Sequence, residues 1–146
     1  MGKRFTLAEA EQLIPSVDRL LRKAVELKAG YVTEGHNFES FQRRIVMTGG
    51  MVVDRTEVRR TRERRDEAAA SLRSAIEEVQ ELGCVVKDLD MGLVDFPTLF
   101  RGQEVYLCWK LGEPSIAFWH GVDEGYAGRK AIDADFRENH EGDRAQ

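Results

Sequence analysis

The sequence predicts an α+β protein in which a long helical hairpin packs on one face of a small antiparallel sheet of three or four strands. Up to residue 82, apolar residues recur at the three- and four-residue spacing of helices. From Cys84 onward, the apolar runs become short and rich in β-branched and aromatic residues, and short connections between them favour antiparallel neighbours. With 146 residues, 42% of them hydrophobic, the chain can bury one core. We therefore predict a single domain over residues 1–133.

The first helix is predicted over residues 6–30. Thr6 and Glu9 fit a capping box, in which each side chain accepts a hydrogen bond from the other residue's backbone. Pro15 is expected to kink or restart the helix, and Gly30 to end it. Its apolar residues follow the spacing of a helix–helix seam: Leu13, Val17, Leu20, Ala24 and Leu27.

The second helix is predicted over residues 51–82, with Gly83 just beyond its end. A short third helix is expected around Phe38–Val46, before the Gly49–Gly50 pair. The apolar stripe of the second helix lies in its C-terminal half: Ala68, Ala69, Leu72, Ala75, Ile76, Val79 and Leu82.

The strands are predicted within residues 84–120. In the run around Trp109, apolar and more polar residues alternate, so one face of the sheet should pack on the helices and the other should be more polar. Trp109 is expected in the core, whereas Trp119 is expected on the polar face with Tyr106. Residues 134–146 are predicted to be a polar, flexible tail.

Composition narrows the functional classes. The net charge of −4 disfavours bulk nucleic-acid binding, and no apolar run is long enough for a membrane span. The N-terminus has no apolar signal segment, so a cytoplasmic location is expected. Cys84 and Cys108 form neither a zinc motif nor a redox motif, and are expected to be buried thiols.

The strand ends carry the residues best suited to chemistry. Acidic residues, including Asp95, flank the first β turn, and a histidine and two acids follow the last strand. A histidine among carboxylates suits a divalent metal or a general base, although such residues also cap turns and end strands. The candidate metal ligands are His120, Asp123 and Glu124. The candidate pocket contains Asp88, Asp90, Lys110, Glu113, Trp119, His120 and Arg129.

Arginine occurs in two further features. Arg129 ends the string GYAGR, where it could clamp an anion, although an ordinary turn also fits. The run Arg43–Arg65 contains eight arginines, with Arg55, Arg59 and Arg62 on one helical face. Such a run is typical of a solvated face or the rim of a helical dimer, and less often of an RNA-binding surface. We expect a homo-oligomer formed through the helices.

Three strings resemble a family of small bacterial proteins catalogued as domain of unknown function twenty-two hundred and three. They are FTLAEAEQLIP (Phe5–Pro15), GCVVKDLDMGLVDFP (Gly83–Pro97) and GQEVYLCWKLGEPSIAFWHGVDEGYAGRKAI (Gly102–Ile132). The resemblance implies a compact cytoplasmic protein with a helical part followed by a β part, and it implies no reaction.

The sequence therefore favours a small cytoplasmic protein that binds a ligand, or assembles, without catalysis, through a polar aromatic pocket at the sheet. The alternative is a metal-assisted hydrolase or related enzyme that uses His120 with acidic partners. The third hypothesis is an RNA-associated protein that uses the arginine-rich helix.

Overall fold

The computed structural model describes residues 3–49 and 54–143, which form two long helices and a six-stranded sheet. Helix α1 spans Leu7–Met47 and helix α2 spans Arg55–Gln80. Ion pairs between them show that they run antiparallel: Lys23–Glu78, Glu34–Arg64 and Arg44–Glu57. The predicted helical hairpin is therefore confirmed. No helix in the described part of the chain combines the length and apolarity needed to cross a membrane.

Helix α1 begins at the predicted capping box. The Thr6 hydroxyl accepts the Glu9 amide hydrogen at 3.1 Å, and the Glu9 carboxylate accepts the Thr6 amide hydrogen at 3.0 Å. The predicted end at Gly30 is wrong, because α1 continues through Gly30 and takes in the segment expected to form a separate third helix. Glycine inside an exposed helix costs only about 1 kcal/mol, which packing against α2 can offset. Pro15 likewise lies inside α1 without ending it.

Helix α2 begins where Asp54 caps it by accepting the Thr56 amide hydrogen at 2.9 Å. The predicted start at Met51 lies outside the described residues. Gly83 follows the helix with a φ of +103°, a conformation that favours glycine. A Cβ atom at this position would also lie 2.9 Å from the Phe5 ring. Gly83 thus lets the chain turn from α2 into β1 while it passes close to the Phe5 ring.

The four main strands form the predicted antiparallel meander. They are β1 (Val85–Asp88), β2 (Leu93–Phe100), β3 (Gln103–Lys110) and β4 (Phe118–Gly121), each paired with the next. Two short strands extend the sheet: β5 (Lys130–Ala131) pairs with β4, and β6 (His140–Glu141) pairs with β2. A turn of 3₁₀ helix, Tyr126–Gly128, lies between β4 and β5.

The inner face of the sheet packs against the helices. Val94 pairs with Trp109 and Phe96 with Leu107, and these side chains join Val17, Leu21 and Val79 in one core. Trp109 is buried as predicted. Trp119 was expected on the polar face, but it pairs with Leu107 and therefore shares the inner face. The reason is register: neighbouring residues across a strand pair point to the same side, whatever their polarity.

The segment after β5 differs from the predicted flexible tail. Helix α3 (Ala134–Asn139) follows Asp133, whose carboxylate accepts the Phe136 amide hydrogen at 2.9 Å. The Phe136 ring is 1% exposed and stacks on Trp119, with centroids 5.0 Å apart. His140 Nε2 accepts the Leu7 amide hydrogen at 2.9 Å. One aromatic side chain and one imidazole thus attach this otherwise polar segment to the core.

Candidate functional site

Three chemically active side chains meet on the outer face of the sheet, opposite the helices. Asp95 of β2 pairs with Cys108 of β3, and His120 of β4 pairs with Tyr106, two residues before Cys108. Residues paired across strands, and residues two apart along one strand, share a face, so these side chains converge. Asp95 and Cys108 are each 1% exposed and His120 is 4% exposed.

The His120 ring is held by an oxygen acceptor at each nitrogen. Nε2 lies 3.0 Å and 3.1 Å from the two carboxylate oxygens of Asp95, and Nδ1 lies 2.8 Å from the carbonyl oxygen of Gly121. A neutral imidazole carries only one N–H, so it can donate to only one of these acceptors. One of the two contacts therefore lacks a proton. A cation bound between Nε2 and the carboxylate would let the single N–H donate from Nδ1 to the Gly121 carbonyl oxygen.

Cys108 adds a sulfur donor to this pair. One ligand atom from each of Asp95, Cys108 and His120 can be chosen so that all three lie within 4.8 Å of one another. Burial, followed by the charge of Asp95, raises the pKa of the Cys108 thiol to about 12. In the absence of a cation, Cys108 is therefore a protonated thiol and a poor nucleophile. Together the three side chains offer oxygen, nitrogen and sulfur donors to a metal.

A cleft of about 480 Å³ opens above these side chains. Its walls come from β1 and from the loop after β4. Four carboxylates line it, together with Lys87 and His120: Asp88, Asp95, Asp123 and Glu124. Among the described residues that line it, Lys87 is the one lysine. The cleft is therefore an acidic pocket with a buried Asp–His pair in its wall.

Glu124 fixes the loop that forms one wall of the cleft. Its carboxylate accepts the Gly121 amide hydrogen at 3.0 Å and pairs with Lys130. The hydrogen bond from Lys130 is the main reason that the pKa of Glu124 lies below its ordinary value. A Cβ atom at position 121 would lie 2.7 Å from the Glu124 carboxylate, so a side chain there would displace this carboxylate.

The structure divides the predicted pocket residues among several places. Asp88 and His120 line the cleft, together with the predicted metal ligands Asp123 and Glu124. Asp90 instead pairs with Lys28 of α1. The remaining four do not line the cleft: Lys110, Glu113, Trp119 and Arg129.

Glu113 and Arg129 form a separate, largely buried cluster. Arg129 Nη2 lies 2.7 Å and 2.9 Å from the two carboxylate oxygens of Glu113, which also accepts the Lys110 amide hydrogen at 2.6 Å. The guanidinium lies between the rings of Phe118 and Tyr126, 4.1 Å and 4.9 Å from their centroids. The position predicted to clamp an external anion is thus filled by a carboxylate of the chain itself.

The arginine run lies on the part of the hairpin that extends away from the sheet. Arg55, Arg59 and Arg62 are exposed on α2, as predicted. Several other arginines contact groups within the hairpin: Arg64 pairs with Glu34, and the Arg65 guanidinium lies 4.1 Å from the centroid of the Phe38 ring. These contacts reduce the free positive charge, and RNA binding stays a prediction that salt-dependent binding would test.

The sequence places Asp95 among the acids beside the first β turn that could meet His120, but Asp95 is not one of the residues predicted for the pocket or the metal site. Cys108 is predicted only as a small buried hydrophobe. The available signal was that Asp95 is the one charged residue in the strand LVDFPTLF. Only the register of β2, β3 and β4 shows that both side chains lie beside His120.

The family of the chain follows from a comparison with protein-family models. A family described as "Uncharacterized conserved protein (DUF2203)" matches residues 3–132. The chain belongs to this family. The match runs from the start of the described N-terminal segment through β5 and includes Asp95, Cys108 and His120, whereas α3 and β6 lie beyond it. No curated protein and no solved structure matches the chain.

Proposed function

We propose that the protein binds a small cationic ligand in the acidic cleft on the outer face of the sheet. The observation that carries this proposal is the buried carboxylate of Asp95, which is 1% exposed and lies in the wall of the cleft. Burying a charged group is costly unless a compensating charge lies beside it. The two free cysteines, Cys84 and Cys108, support a reducing, cytoplasmic location.

The charges around the cleft favour the same ligand class. Asp88, Asp123 and Glu124 surround the opening, while Lys87 is directed to the face of the Tyr106 ring, 5.4 Å from its centroid. An opening that carries an excess of charge of one sign concentrates ligands of the opposite sign. The volume of about 480 Å³ falls within the usual range for small-molecule sites.

The proposal is tested by thermal denaturation with divalent metal ions, a diamine and a monoamine, followed by calorimetric titration of any cation that stabilises the protein. A ligand present at a hundred times its Kd should stabilise the fold by about 2.7 kcal/mol. Asp123→Asn should weaken binding. The matched control is Asp90→Asn, because Asp90 pairs with Lys28 instead of lining the cleft. Failure of every cation to bind, or equal weakening by both variants, would contradict the proposal.

A catalytic role is the second candidate, because His120 beside a carboxylate resembles the pairing of a general base with the group that orients it. Binding is favoured because both ring nitrogens of His120 already lie within hydrogen-bond distance of protein oxygens, which leaves neither directed at a substrate in the cleft. A metal-assisted hydrolase would use the metal in place of a free base. Turnover of a model ester that requires both a metal and His120 would favour the enzyme.

We also propose that the chain self-associates through the hairpin. Val25, Tyr31 and Val32 are exposed on α1, and Val25 and Val32 are seven residues apart on one helical face. Two helices that extend beyond a core gain stability from a further packing partner. Light scattering should give a dimer or larger species at tens of micromolar, and Val32→Glu should shift it to monomer. A monomer mass for the unmodified protein would contradict this proposal.

A further inference from the structure

We infer that the cation is a divalent transition-metal ion, coordinated by a carboxylate oxygen of Asp95, Sγ of Cys108 and Nε2 of His120. This inference rests on the proposed binding function of the cleft and names the ligand class. Its basis is the convergence of three buried donors from three neighbouring strands within 4.8 Å. Because the three residues lie side by side on paired strands, the backbone already places the donors next to one another.

The orientation of His120 supports coordination through Nε2. Nδ1 lies 2.8 Å from the Gly121 carbonyl oxygen, so a ring protonated there donates to that oxygen. Nε2 then presents its lone pair to the carboxylate of Asp95 at 3.0 Å, which is repulsive without a positive charge between them. A metal ion supplies that charge. Metal-binding histidines usually donate their other N–H to a carbonyl or a carboxylate, as the Gly121 contact allows here.

The donor set also selects the class of metal. One thiolate, one imidazole and one carboxylate suit zinc, cobalt or iron, whereas magnesium and calcium prefer oxygen ligands. In a tetrahedral zinc site the bond lengths place neighbouring donors about 3.3–3.6 Å apart. The Asp95–His120 contact of 3.0 Å therefore has to open by a few tenths of an ångström. Three protein ligands leave a fourth position for water or a small molecule from the cleft.

Charge and proton balance agree with this ligand set. On binding, the Cys108 thiol releases its proton to solvent and the sulfur forms a bond to the metal. The thiolate and the Asp95 carboxylate then carry two negative charges, which a divalent ion neutralises. A buried centre of zero net charge avoids the cost that a net buried charge would impose.

The ligand set expected from the sequence is less favourable. It contained His120, Asp123 and Glu124, all of which line the cleft. The Glu124 carboxylate already accepts the Gly121 amide hydrogen and pairs with Lys130, so coordination there would break two contacts. Asp95 makes no comparable contact with a cationic lysine or arginine within the described residues.

The experiment is a titration of chelator-treated protein with Co²⁺, followed by absorption spectroscopy. The unmodified protein should bind one ion and show a thiolate-to-cobalt charge-transfer band. Cys108→Ser should lose that band, and His120→Gln should weaken binding by at least about tenfold, since even the outer partners of metal ligands contribute that much. The matched control is Cys84→Ser, because Cys84 is also buried but its thiol donates to the Val79 carbonyl. This variant should keep the band.

X-ray absorption at the cobalt edge of the unmodified protein gives a second measurement that does not depend on the folding of a variant. It should show one sulfur neighbour at about 2.3 Å together with nitrogen or oxygen neighbours. Binding without a sulfur neighbour, or a charge-transfer band that survives in folded Cys108→Ser, would overturn the inference. If an amine binds in a manner sensitive to Asp123→Asn but Co²⁺ does not bind, the metal inference fails and the proposed function stands. If no cation binds, both fail.

Discussion

Replacing Phe136 by alanine removes the side chain that attaches α3 to the sheet. The Phe136 ring is 1% exposed. Its centroid lies 4.9 Å from that of Phe100, 5.0 Å from that of Trp119 and 5.3 Å from that of His140. Since β2, β4 and the C-terminal segment all meet at this ring, truncation leaves a cavity that no neighbouring side chain can fill without moving.

The expected loss of stability is large. Truncating a buried phenylalanine to alanine costs about 3–5 kcal/mol, which includes both the lost burial and the cavity. Domains have total stabilities of about 5–15 kcal/mol, so this is a substantial fraction of the whole. For a chain of this length, each kcal/mol lowers Tm by roughly 3–4 °C, and a loss of about 3–5 kcal/mol in Phe136→Ala should lower it by about 9–20 °C.

Urea unfolding followed by circular dichroism measures this change directly. The control is Val122→Ala, which truncates an apolar side chain that is 55% exposed in the loop after β4 and should cost less than about 1 kcal/mol. If Phe136→Ala loses no more stability than this control, the segment from Ala134 does not pack on the core. The flexible tail expected from the sequence would then be the better description.

Three further predictions concern the core, a buried thiol and the ion pair between Glu113 and Arg129. Leu21→Ala should cost about 2–5 kcal/mol in urea unfolding and Leu20→Ala less, because Leu21 is fully buried whereas Leu20 is partly exposed; equal losses would contradict the observed helix orientation. Burial raises the pKa of the Cys84 thiol from 9.0 to about 11, so Cys84 should resist alkylation in the native protein at pH 8.5 and react after unfolding. The stability of the native protein should fall as the pH rises from 9 toward 11, and rapid labelling of the native protein would contradict this prediction. Arg129→Met should destabilise the fold by about 3–5 kcal/mol because it leaves the Glu113 carboxylate largely buried without its partner, and a loss below about 1 kcal/mol would show that solvent replaces the arginine.

Local sequence signals were enough to predict much of the fold. The capping box at Thr6 and Glu9, the glycine after α2 and the alternation around Trp109 all depend on neighbours a few residues away. The end of α1 was not predictable in the same way. Gly30 is a local signal for a helix end, but contacts with α2 decide whether the helix continues, and these join residues distant in the sequence.

The candidate site depends even more on contacts between residues that are distant in the sequence. His120 was identified from its type and position, but Asp95, its hydrogen-bond partner, lies 25 residues earlier in the chain. Whether the two meet depends on the register of three strands, and a shift of one residue would move either side chain to the other face. Trp119 was placed on the wrong face for this reason. Glu113 and Arg129, expected beside His120, instead bind each other.

The most direct test of a metal-binding cleft is anomalous X-ray diffraction from crystals grown with Zn²⁺, measured above and below the zinc absorption edge. We predict one strong peak on the outer face of the sheet, within about 2.0–2.3 Å of an Asp95 oxygen, Cys108 Sγ and His120 Nε2. Diffraction that shows no anomalous peak there, with Nε2 still in direct contact with the Asp95 carboxylate, would contradict the assignment and leave a buried imidazole–carboxylate pair in its place.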